Sequence, residues 1–103
     1  MRLVAAFVVS ICCLECEVVA QEIPDYDIEA LCERRAGANT PENRRFASCL
    51  LIEEYALAEL EDHWPEANET MRLECVEEAS PSESYVALAS CVMFRVRQQQ
   101  RRF

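Results

Sequence analysis

The sequence predicts an all-α protein, four helices arranged as two disulfide-pinned helical hairpins that share one small core. Three observations carry this. Apolar residues recur at helical spacing through most of the chain, and no strand-like alternation of useful length appears. Four cysteines, Cys32, Cys49, Cys75 and Cys91, are spread almost evenly along the same stretch. The stretch also reads as two copies of one unit. The first runs Cys32, Ala36, Thr40-Pro41, Ala47-Ser48-Cys49; the second runs Cys75, Ala79, Ser80-Pro81, Ala89-Ser90-Cys91.

The first element lies ahead of those units. Arg2 precedes an apolar run from Leu3 to Leu14 that only Ser10 interrupts. The run is shorter than the roughly twenty residues that cross a bilayer. It has the length of a signal-peptide core, and Val18-Val19-Ala20 supplies small residues for cleavage before Gln21. A signal peptide over residues 1–20 and one domain over residues 21–103 are therefore expected. The competing reading is a buried helix or strand of a cytosolic protein, because Glu15 and Glu17 are unusual beside such a run. Cleavage removes Cys12, Cys13 and Cys16, turning seven cysteines into four, an even set suited to a small exported domain.

The four helices follow in order. The first, about Asp25 to Ala36, shows Ile28, Leu31 and Cys32 on one side, and Gly37 is placed to end it. The second, from Thr40 to Trp64, aligns Phe46, Cys49, Leu50, Leu57, Leu60 and Trp64. The third, about Glu66 to Ala79, is the least regular, with Met71 and Cys75 together after Pro65. The fourth begins near Ser82 and aligns Tyr85, Leu88, Ala89, Val92 and Val96, with Cys91 at the edge. Ser/Thr-Pro is read as the start of a helix in each unit, the hydroxyl capping and the proline at the first position. Ser80-Pro81-Ser82-Glu83 also matches a capping box.

Four cysteines allow three pairings. Antiparallel hairpins bring the end of one helix beside the start of the next, which favours Cys32 with Cys49 and Cys75 with Cys91. A zinc site is the rival, but structural zinc ligands come in close pairs and these cysteines do not.

The expected domain carries 9 arginines, no lysine and 17 carboxylates. That balance argues against nucleic acid and anionic membrane as partners and allows a basic protein partner. No stable membrane insertion is expected once the leader is removed. No catalytic motif or glycine-rich phosphate loop occurs, so no enzyme and no cofactor are expected. His63 is read as a cation at a helix C-terminus. Asn68-Glu69-Thr70 is a glycosylation sequon. The arginine-rich end, Phe94 to Phe103, is read as a solvated helix terminus, with partner binding or a latch onto the acidic body as alternatives. Glu53 falls inside the apolar stripe of the second helix. A buried carboxylate needs a partner, and a structural ion pair with Arg35 or Arg72 is expected, a binding-site carboxylate being the alternative.

Cys49-Leu50, Glu53, Ala56, Leu60, Trp64, Cys75, Ser84-Tyr85, Leu88 and Cys91 together resemble a set of small secreted four-cysteine proteins of alphaproteobacteria. The order Trp64, Arg72, Cys75 is similar to that of the LprI-type lysozyme-inhibitor domain, which is helical, cysteine-stapled and exported. These resemblances imply a periplasmic or secreted location and no established activity for the first set. The functional expectation is an exported, non-enzymatic protein that binds another protein, with inhibition of a basic cell-wall hydrolase such as lysozyme as its specific form. The alternatives are a structural or stress-related periplasmic protein without a soluble target, and a cytosolic four-cysteine metal-binding protein.

Overall fold

The computed structural model describes residues 22–102. It contains α1 (Ile28–Ala36), α2 (Arg44–His63), α3 (Glu69–Ala79) and α4 (Tyr85–Arg101), with one 3₁₀ turn, Trp64–Glu66, between α2 and α3. The described residues contain no strand. The leader over residues 1–20, with Cys12, Cys13 and Cys16, lies outside them.

The helices pack in the order α1, α2, α4, α3, so α2 and α4 form the central pair. Each outer helix is bridged to an inner one, α1 to α2 by Cys32–Cys49 and α3 to α4 by Cys75–Cys91. The two hairpins therefore meet through α2 and α4. Burial of Leu60, Leu88 and Val92 between the helices builds the centre of the main core, which Cys75, Ala79 and Tyr85 extend. Leu31, Cys32 and Phe46 are buried toward the α1–α2 end, apart from that main cluster. All five stripe residues of α4 are buried, as their spacing predicts, with Cys91 partly exposed at the edge.

The helix starts differ from the sequence expectation. Thr40-Pro41 does not open α2; it forms a turn closed by the Asn43 N–H on the Thr40 carbonyl at 3.1 Å, and Asn43 is the cap. Proline at the second position of such a turn has its φ preset. Ser80-Pro81 likewise lies in the α3–α4 turn, Ser84 caps α4, and Glu83 sits ahead of that cap with φ +52°. The capping-box reading of Ser80 to Glu83 thus fails. Pro81 stops α3, and the next helix begins only where Ser84 reaches a tertiary partner.

Asn43 joins two helix ends. Its Nδ2 donates to the Ala36 and Ala38 carbonyls at 3.0 and 2.8 Å, and its Oδ1 accepts from the Phe46 N–H at 3.2 Å. Gly37, at φ +96°, makes the backbone reversal between them possible, and its N–H donates to the Glu33 carbonyl. Asn43→Ala is expected to cost about 1–2 kcal/mol, measured by urea unfolding. Asn68 is also a cap, its Oδ1 accepting from the Met71 N–H at 2.9 Å. The sequon asparagine is therefore engaged in starting α3.

Candidate functional site

The site grows from Glu53. Midway along α2, this residue is only 1% exposed and points at the N-terminus of α4. Its Oε2 accepts from the Ser84 hydroxyl at 2.6 Å, and its Oε1 accepts from the Tyr85 N–H at 2.7 Å. The first backbone N–H groups of a helix have no partner within it. Here Glu53 takes that of Tyr85, while Ser84 Oγ accepts from Val86 and Ala87 at 3.2 and 3.4 Å. A carboxylate at a helix N-terminus is also favoured by the helix dipole. The buried charge is thus compensated by donors aimed at both oxygens.

The expected ion pair is corrected by this geometry. Neither Arg35 nor Arg72 is the partner of Glu53. Arg72 reaches the α2–α3 corner, where Nε and Nη2 donate to the Trp64 carbonyl at 3.2 and 3.0 Å and the guanidinium lies 5.3 Å from the indole centroid. A helix terminus supplies donors already fixed in direction, so no long arginine side chain has to be immobilised and desolvated. Arg35 does line the same groove as Glu53.

That groove, about 630 Å³, opens between the α1–α2 corner and the start of α4. Glu53 and Ser84 lie at it, Arg35, Arg44 and Arg45 line it, and Ile52 and Val86 contribute apolar wall. Among the described residues none of the three arginines makes an ion pair. A second groove of about 510 Å³ shares Ile52 and Val86 with the first and continues between α2 and α4 past Tyr55, Met93 and Phe94. Ile52, Tyr55 and Phe94 are 58%, 69% and 62% exposed, large values for apolar side chains on neighbouring helices. Arg44, Arg45 and Ser84 were not singled out from the sequence as site residues. For Ser84 the signal is present: it immediately precedes the first apolar-periodic residue of α4, where a cap belongs.

A second polar node pins the segment before α1. The Tyr85 hydroxyl donates to the Pro24 carbonyl and accepts from the Tyr26 N–H, each at 2.9 Å, with the two rings 4.9 Å apart. The Tyr26 hydroxyl is buried without a hydrogen-bond partner among the described residues. Desolvation above all, then the neighbouring Tyr85 and Glu83, raise its pKa above the ordinary 10.0. A raised folded value means the fold retains this proton more tightly than the unfolded chain does. The associated stability is present below about pH 10 and is lost as pH rises through the folded value. Tyr26→Phe is therefore expected to keep full stability at pH 7 and to flatten the decline in melting temperature between pH 9 and 11.

The remaining sequence candidates are placed elsewhere. His63 ends α2 with Nδ1 3.2 Å from Glu66 Oε1. Arg95, from the arginine-rich end, is clasped by Glu74 and Glu78 of α3, whereas Arg97, Arg101 and Arg102 are exposed. The four described cysteines are consumed in disulfides, and no cluster of histidine, cysteine or carboxylate suited to a metal occurs among the described residues. No described helix is long and apolar enough to cross a membrane. Comparison with known proteins finds no matching family model, no similar curated protein and no similar solved structure.

Proposed function

We propose that the chain is an exported, non-enzymatic binding protein whose partner is a basic protein, a cell-wall hydrolase of lysozyme type being the specific candidate. The observation that supports this reading is the distribution of its carboxylates. Between residues 54 and 78 nine acidic side chains are exposed, and Arg72 is the only arginine in that span. Glu74 and Glu78 are engaged by Arg95, and Glu66 by His63. Glu54, Glu59, Glu61, Asp62, Glu69 and Glu77 make no ion pair among the described residues. Such a surface attracts a cationic protein over a distance and weakens in its hold as salt rises. Two intramolecular disulfides suit an oxidising compartment, consistent with export.

The test is clearing of a bacterial cell suspension by lysozyme with the purified, oxidised domain added in excess. Inhibition that fades as salt is raised, and that is lost on replacing Glu59, Glu61 and Asp62 by their amides, is the expected result. Clearing at an unchanged rate would overturn the hydrolase reading.

A further inference from the structure

The arginine-lined groove uses residues that the proposed function leaves idle. In a domain with nearly twice as many carboxylates as arginines, most cations would be expected to find an acidic neighbour. Arg95 does, twice over. Arg35, Arg44 and Arg45, like Arg34, Arg97, Arg101 and Arg102, make no ion pair among the described residues, and these three line one groove together. The one carboxylate at that groove, Glu53, is 1% exposed, with both oxygens occupied by Ser84 and Tyr85. Three cations against one sequestered anion leave the groove locally positive on an acidic protein.

The apolar half of the site leads away from those cations. Ile52 and Val86 belong to both grooves, so the arginine end adjoins the track past Tyr55, Met93 and Phe94 at these two side chains. Each groove falls within the roughly 300–1,000 Å³ of small-molecule sites, and a mostly apolar wall with a few convergent charges is their usual make-up. The second groove carries one charge of each sign, Glu59 and Arg97, so the positive end of the combined surface is the one lined by Arg35, Arg44 and Arg45.

We propose that the groove binds a single-chain anionic amphiphile, a monomeric long-chain fatty acid. Its carboxylate would sit among Arg35, Arg44 and Arg45, and its alkyl chain would lie over Ile52 and Val86 toward Met93 and Phe94. Guanidinium groups offer paired donors that match a carboxylate. Covering Ile52, Tyr55 and Phe94 with hydrocarbon removes exposed apolar surface from water.

The experiment is calorimetric titration of the oxidised protein with oleate below its micellar concentration, alongside acetate and oleyl alcohol. Saturable oleate binding, at least tenfold tighter than that of either control, is expected. The double variant Arg44→Gln/Arg45→Gln should weaken oleate at least tenfold and leave the alcohol unchanged; Ile52→Asp should weaken both. Circular dichroism and resistance to thiol alkylation establish that each variant is folded. Absence of saturable binding, affinity that neither folded variant changes, or binding only to oleate-containing vesicles would overturn the proposal. So would a protein dimer on size-exclusion chromatography that Ile52→Asp dissociates and oleate does not. Of the carboxylates in the hydrolase test only Glu59 borders the second groove, and none is altered in these variants, so lost oleate binding with inhibition retained, or the reverse, separates the two readings.

Discussion

Glu53→Ala is expected to destabilise the domain by roughly 3–5 kcal/mol, and it is the costliest single carboxylate substitution the fold offers. Two donors, the Ser84 hydroxyl and the Tyr85 N–H, both on buried residues, lose their acceptor. Each unsatisfied group costs about 1–3 kcal/mol, and the truncated side chain leaves a cavity besides. For a domain of this size each kcal/mol lowers the melting temperature by about 4–8 °C. Glu53→Gln preserves the shape and one acceptor oxygen, so a smaller loss is expected. A double-mutant cycle with Ser84→Ala measures the coupling directly. Additive losses would mean that the carboxylate and the hydroxyl do not act as one unit.

Loss of either disulfide is expected to be comparably severe, about 3 kcal/mol in the chain-entropy model for loops closed across 17 and 16 positions. The structure adds a reason beyond entropy. Each outer helix buries only two residues, and in each one of the two is its cysteine: Leu31 and Cys32 in α1, Cys75 and Ala79 in α3. Helices of 9 and 11 residues are marginal by themselves. Without its bridge, α3 keeps Ala79, partly buried Met71 and Val76, and the clasp of Glu74 and Glu78 on Arg95. Replacing Cys75 and Cys91 by serine should therefore lower the melting temperature by roughly 12–24 °C. Amide exchange in α3 should accelerate first, ahead of α2 and α4. A variant that melts with the parent, or that exchanges uniformly, would contradict this account of how the outer helices are held.

Much of this was legible in the residues because it is periodic or local. The stripe of α4 needs only helical spacing, and Tyr85, Leu88, Ala89, Val92 and Val96 all emerge buried. The two bridges are the pairing that hairpin connectivity favours, with Cys32 and Cys75 in the first helix of each hairpin and Cys49 and Cys91 in the first half of the next. Gly37 ends α1 as its unique backbone freedom suggests. The caps were misread for a local reason. Ser/Thr-Pro serves equally as a helix start or a tight turn, and the residues after it decide. In both units the turn won, and the true caps, Asn43 and Ser84, stand three and four residues further on.

By itself, then, the sequence determined the number and type of elements and the burial of Glu53, and favoured the cysteine pairing that the structure settles. These depend on spacing along one helix or between chain neighbours. Only the tertiary structure decided what that carboxylate does. Its partners lie 31 and 32 positions away, and one of them is a backbone N–H, which no residue type announces. The gathering of Arg35, Arg44 and Arg45 beside Val86 is of the same kind. It depends on the α1–α2 corner meeting the start of α4, a consequence of how two hairpins pack rather than of any pattern within either.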